Sequence, residues 1–280
     1  MLPLWRNRIC LAISPERISL VKLGRGLKPK LLAKYDEAIS PASNSQPVKQ
    51  PSWQAVLEKL TVILAQPELQ HSDVDIVLSN RLVRYAVIPS NVQLKKYAEQ
   101  EAFARHVLTH TYGSIIGQWQ LRIQRGKAGL PWLVSAVDQA LLDGLNQSCT
   151  SNKLKLRSVT PYLMPVFNRY RKALKFDPSW LVINEPGYSL FALLSGRVIV
   201  TISGASHDSI NELNVMLDRE NLVCTLPEPC KKVYLHAPVA GSLSVSAKAG
   251  YEYIKLESAV PEGFPPLTEG LYAMAMSGVL

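Results

Sequence analysis

Two glutamates in this 280-residue chain stand where phosphate chemistry would need a carboxylate. Glu16 lies in the turn Ser14-Pro15-Glu16-Arg17, and Glu185 opens the turn Glu185-Pro186-Gly187-Tyr188. Each turn is set between two apolar strands, in Ile9 to Leu23 (ICLAISPERISLVKL) and in Leu181 to Ile202 (LVINEPGYSLFALLSGRVIVTI). A turn of this kind cradles a phosphate by aiming free backbone N–H groups at its oxygens and by holding a metal through a carboxylate. Pro15 and Pro186 each remove a donor, so a tight grip on phosphate is not expected. Glu16 and Glu185 then read as solvated turn residues, with displaced metal ligands as the alternative.

The remaining chemistry-bearing residues are few. His106 and His110 lie four apart, a spacing that can grip a metal from one helix face, but no third or fourth ligand stands nearby. Cys10, Cys149, Cys224 and Cys230 form no CxxC pair, so neither a zinc site nor a disulfide framework is indicated. Cys224 and Cys230 bracket LPEP and could lie close across a turn; reduced thiols are the expectation. There is no nucleophile elbow, P-loop or GxGxxG element. Four arginines, Arg81, Arg84, Arg122 and Arg125, fall on predicted strands of a small module and could face a carboxylate-bearing peptide, solvated surface charge being the plainer alternative.

The charge is divided along the chain. Residues 1–177 carry 25 Lys and Arg against 12 Asp and Glu, a balance of +13, while residues 178–280 carry 6 against 10, a balance of −4. The basic part is suited to an acidic partner or a membrane surface. Nucleic acid is not expected as a partner, because the basic residues are spread over many elements without interleaved aromatics for stacking. Gly196 and Arg197 interrupt the longest apolar run, Leu190 to Ile202, short of the roughly 18 residues a spanning helix needs. The opening MLPLWRNRICLAIS has an apolar stretch too short for a signal-peptide core, so a cytoplasmic location is expected.

The elements that must position these residues follow from periodicity. Arg8 to Ile13, Ile18 to Leu23 and Lys30 to Tyr35 predict an antiparallel meander, followed by the loop Ile39 to Pro51. Ser52 is the expected N-cap of a helix through Ala65, and Val74 to Leu78 a buried strand. A strand Leu82 to Ile88, a helix Val92 to His110 and paired strands Gln118 to Gln124 and Trp132 to Val137 make a compact module. A helix Asp138 to Cys149, a strand Leu156 to Thr160 and a helix Tyr162 to Leu174 complete the first part. Asp177 and Pro178 mark the boundary, after which come the second hairpin, a helix Asp208 to Arg219, strands Lys232 to His236 and Tyr251 to Leu256, and a closing segment Thr268 to Leu280. The division is thus 1–177, with an inserted module at about 81–153, and 178–280.

This order resembles the actin-like proteins of bacterial type IV pilus and type II secretion machines, the family of PilM, MshI and the cytoplasmic part of GspL. The likeness is carried by Ile18 to Leu23 after the first turn and by Tyr85 to Pro89. It is carried also by Glu99-Gln100-Glu101-Ala102, Trp132 to Val137, and the small-residue segment Tyr272 to Gly278. It implies an α/β fold of two actin-like, ribonuclease H-like halves with an inserted strand-helix-strand-strand module. That family carries an Asp and a Gly in the first phosphate turn and Asp-x-Gly in the second; here Ala12, Ile13 and Ser14, then Asn184, Glu185, Pro186 and Gly187, take those places. The adenosine turn is represented only by His236-Ala237-Pro238 with a lone Gly241, and Gly204 and Lys231 stand too close for the lobe that closes over a nucleotide. The resemblance therefore implies a pseudo-ATPase scaffold without cofactor or metal at the inner-membrane face of a Gram-negative bacterium, in an MSHA-like pilus or a type II secretion platform. It implies a PilN-like inner-membrane partner docked through a short cytoplasmic peptide, the secretion motor ATPase as a further contact, and leaves a homodimer open. The N-terminal MLPLWRNR resembles that partner peptide with its order scrambled, though packing of Leu4 and Trp5 on the first strand is the expectation. A weakly active ATPase of the same fold is the first alternative, and a basic nucleic-acid-binding module, prompted by the +13 part of the chain, is the second.

Overall fold

The computed structural model describes residues 6–26, 28–39, 51–91, 93–127, 129–175, 177–224, 226–239, 250–257 and 270–278. In chain order it begins with β1 (Arg8–Ser14), β2 (Arg17–Leu23), β3 (Leu31–Ala38), α1 (Gln54–Leu64), β4 (Asp73–Leu78) and β5 (Arg84–Ile88). It continues through α2 (Tyr97–Tyr112), β6 (Trp119–Gln124), β7 (Trp132–Asp138), α3 (Gln139–Ser151), β8 (Lys155–Pro161) and α4 (Leu163–Tyr170). The last part holds β9 (Ser179–Glu185), β10 (Tyr188–Ser195), β11 (Val198–Ser206), α5 (Leu213–Val223), β12 (Lys232–His236), β13 (Glu252–Lys255) and α6 (Ala273–Ser277).

Two compact units divide the chain. The first takes in Met1–Val83, Asp138–Val166 and Ser258–Leu280; the second takes in Arg84–Val137 and Phe167–Glu257. They do not follow chain order as the boundaries 1–177 and 178–280 do. The module groups with the later residues as Arg84–Val137, whereas α3, placed with it by sequence, returns to the first unit. The physical reason lies in Gly144, where a Cβ would come within 2.4 Å of Leu57 Cδ1. That close approach lets α3 lie on α1, and Thr61 Oγ1 meets Ser148 Oγ at 3.0 Å across the seam.

The first unit is built on a five-stranded sheet in the order β3-β2-β1-β4-β8. β1 and β4 are central and parallel, and their runs RICLAIS and DVDIVL are buried almost throughout, as a strand covered on both faces requires. β3 lies at the edge and alternates half-buried with exposed residues. Cys10, Ala12, Val21 and Leu23 pack against Tyr272, Ala275 and Met276 of the closing segment.

The second unit repeats the order as β11-β10-β9-β12-β13 and adds a three-stranded sheet β5-β7-β6. Trp180, Val182, Phe191 and Leu193 pack with Leu213 and Leu217 of α5. In the module, Ile88, Leu121, Trp132 and Val134 pack with Ala104 and Leu108 of α2. At Gly204 on β11, a Cβ would lie 1.8 Å from the Tyr188 hydroxyl, so the ring of Tyr188 occupies the space that a side chain there would need.

Several ends differ from the sequence expectation. Ser52 is not the cap of α1, which starts from Trp53 with no side-chain cap bond. α2 starts at Tyr97, five residues after the expected Val92, because Lys96 is extended and its N–H donates to Glu99 Oε2 at 3.2 Å, closing the N-terminus there. Arg81 is not on a strand but in a 3-10 turn, Asn80–Leu82, whose Ser79 hydroxyl accepts from the Arg81 N–H.

Candidate functional site

The first turn closes on itself. β1 and β2 pair down to Ser14 opposite Arg17, leaving Pro15 and Glu16 as a two-residue loop. Ser14 Oγ donates to the Arg17 carbonyl at 3.2 Å, and the Glu16 carbonyl accepts from the Ile39 N–H at 2.8 Å. The Glu16 carboxylate meets Arg81 Nη1 at 2.6 Å. One oxygen of the Glu16 carboxylate is thus engaged by a cation of the chain, while the side chain stays about half exposed.

The second turn has the same outline with different contents. β9 and β10 pair down to Glu185 opposite Tyr188, and Gly187 takes φ 71°, the left-handed conformation glycine adopts without steric cost. Glu185 is buried rather than solvated, which corrects that half of the sequence reading. Behind it a polar knot forms from residues the sequence gave no reason to group. Ser189 Oγ lies 3.0 Å and Asn184 Nδ2 3.4 Å from His207 Nε2, and Asn184 Nδ2 lies 3.4 Å from Ser189 Oγ. Ser189 is wholly buried, so this Ser-His contact cannot present a nucleophile to substrate; it ties the end of β11 to the β9–β10 hairpin. The register pairing Ser189 with Asn184 brings the group together.

The other candidates are scattered. Arg81 belongs to the first unit, and Arg84, Arg122 and Arg125 to the second. Arg84 is on β5 and Arg122 on β6, the two outer strands of the module sheet, both exposed. Arg125 follows β6 on the rim of a cavity of about 720 Å³ within the second unit. His106 and His110 are exposed with Nε2 atoms 3.4 Å apart, and among the described residues no group of three or more His, Cys, Asp and Glu side chains is placed to hold a metal. All four cysteines are free. Burial pushes the Cys10 thiol up to about 12 and the Cys149 thiol up to about 11, so both are inert.

At the place of the adenosine turn, His236 is buried beside the Tyr170 ring, 5.7 Å between centroids. Burial pushes its imidazole down to about 4; a backbone hydrogen bond to Leu256 opposes the shift, and the charge of Arg169 adds to it. A neutral buried ring there is a packing element. Gly241, and Leu4 and Trp5 of the N-terminal segment, lie outside the described residues.

No family model matches the chain, and no curated protein sequence does. Solved structures do. A chain of the PilM-PilN type IV pilus biogenesis complex is similar over 89% of this chain and 88% of its own, at 15% identity and a TM-score of 0.59. The chain has an actin-like fold. The cytoplasmic domain of EpsL, an inner-membrane component of the type II secretion system of Vibrio cholerae, is similar over 98% of this chain and 94% of its own, at 9% identity and a TM-score of 0.57. A Bacteroides thetaiotaomicron protein with an actin-like ATPase fold and unknown function is similar over 88% and 86%, at 8% identity and a TM-score of 0.55. Identities this low carry the actin-like architecture and no activity.

Proposed function

We propose that this actin-like chain is a pseudo-ATPase scaffold of a type IV pilus, MSHA-like, or type II secretion assembly platform, working at the inner-membrane face. Its role on this reading is to dock the cytoplasmic peptide or domain of a PilN-like inner-membrane partner and to relay contact towards the secretion motor ATPase. The observation that supports the non-catalytic part is the first turn itself, where a proline removes a backbone donor and the Glu16 carboxylate is paired with Arg81. The similarity in fold to a PilM-PilN chain and to the EpsL cytoplasmic domain supports the setting. Among the described residues no helix is long and apolar enough to cross a membrane.

Isothermal calorimetry of the full chain with ATP and magnesium tests the first part. No heat of binding is expected, and micromolar affinity would reject it. Capture of the purified cytoplasmic segment of a PilN-like protein from the same cell tests the second. Specific retention is expected, and its absence with clean folded protein would remove the platform reading.

A further inference from the structure

The cavity of about 720 Å³ in the second unit has a composition unlike the rest of the surface. Arg125, Lys127, Arg171, Lys172 and Arg197 line it, and among the described residues no carboxylate does. Among the described residues none of the five has a carboxylate partner, although Arg8, Arg17, Arg81, Arg105 and Arg219 are each paired with Asp or Glu elsewhere. Five like charges around one concavity repel one another and gain from an anion that neutralises them.

The floor is apolar. Leu133, Phe167 and Ile199 contribute to it and are largely buried, and the Arg171 guanidinium lies 5.9 Å from the centre of the Phe167 ring. One rim charge is held at a conformational cost. Ser195 pairs with Val198, so Gly196 and Arg197 form a two-residue hairpin turn with φ 56° and 62°. Such turns need positive φ at both positions, which glycine tolerates and a side-chain-bearing arginine disfavours. The third wall is the segment after α4, where Arg171 and Lys172 project from the chain's basic cluster.

We infer that this cavity docks an acidic peptide segment of a partner protein that carries one large apolar side chain between its carboxylates. The volume exceeds what a single phosphate fills and falls in the range of sites that take several groups at once. The apolar floor lies below the charged rim, so it receives a side chain instead of inserting into a lipid surface. Phe167 is buried and single, which leaves no exposed row of aromatics on which nucleic-acid bases would stack. The inference deepens the docking role proposed above and rests on it for the partner's setting.

The test is fluorescence anisotropy of the full chain with a neutral-dye dodecapeptide of Glu and Gly around a central Phe. Binding is expected, weakening as salt rises and falling about tenfold in the Arg171→Glu/Arg197→Glu variant and with Ser in place of the peptide Phe. The Arg197→Gly variant relieves the turn, so it is expected to stay folded while binding the peptide more weakly. Methyl resonances of Leu133 and Ile199 are expected to shift on addition of the peptide. Undiminished binding in both variants, or no binding to wild type, overturns the site. So does a phosphatidylserine vesicle or a single-stranded oligonucleotide that depends on Arg171 and Arg197 where the peptide does not. Peptide binding without capture of a PilN-like segment supports the site and removes the platform reading. Capture that persists with no peptide binding at the cavity overturns the site alone.

Discussion

The two five-stranded sheets follow one path with different anchors. Aligning the loops places Ser14-Pro15-Glu16-Arg17 on Glu185-Pro186-Gly187-Tyr188, so the same registers put Asp75 of β4 where β12 has Tyr234, and Val77 where it has His236. In the first sheet Asp75 takes Arg8 Nε and Ser158 Oγ, each at 2.6 Å. In the second the Tyr234 hydroxyl accepts from the Lys175 N–H at 2.9 Å and donates to the Ala173 carbonyl at 3.2 Å. Both polar groups tie the inner parallel strand to a neighbouring segment, by an ion pair in one case and by backbone in the other. Apolar patterning and hairpin register thus suffice to set the strand order, while the chemistry at matched points is free to diverge.

The comparison can be broken most forcefully through the core of the second sheet. Phe191→Ala is expected to cost about 3–5 kcal/mol in denaturant unfolding, with amides of β9 and β10 losing exchange protection before those of β1 and β2. Simultaneous loss in both sheets would join them into one cooperative unit. Next comes acid. The unfolded chain takes a proton on His236 near pH 6.5 that the folded chain refuses until about 4, so stability falls as the pH drops through that window, by up to roughly 3 kcal/mol. His236→Val, which copies the matched Val77, is expected to flatten the curve between pH 6.5 and 4. Asp75→Asn is expected to cost about 2 kcal/mol by loosening Arg8 and Ser158, against about 1 kcal/mol for Tyr234→Phe, in thermal or denaturant melts. Glu16→Gln is expected to cost less than about 1 kcal/mol, because the carboxylate is 53% exposed, and to leave the calorimetric response to ATP unchanged.

How much could be read from the sequence follows from how local each signal is. The strands emerge because runs such as VDIVL and KVYLH are mostly apolar, with single polar residues between, and Lys232–His236 matches its expected bounds. The start of α5 was misplaced because Ser209 and Glu212 cap a 3-10 turn first, Ser209 Oγ accepting from the Asn211 N–H and Glu212 Oε1 from the Ser209 N–H. That Ser-x-x-Glu signal was present to be read. The ion pair of Glu16 with Arg81 was not, since it joins residues 65 apart and needs the 3-10 turn to aim the arginine. Arg197 gave a reason only to end an apolar run; its place on a shared rim with Arg125 and Arg171 depends on packing that no periodicity encodes.

Gly204 and Tyr188 sit on neighbouring strands as diagonal partners, one lacking what the other supplies. Their fates are therefore coupled across descent. A lineage that places a side chain at 204 must move or shrink the aromatic at 188, so sequences related to this one are expected to show the two positions changing together.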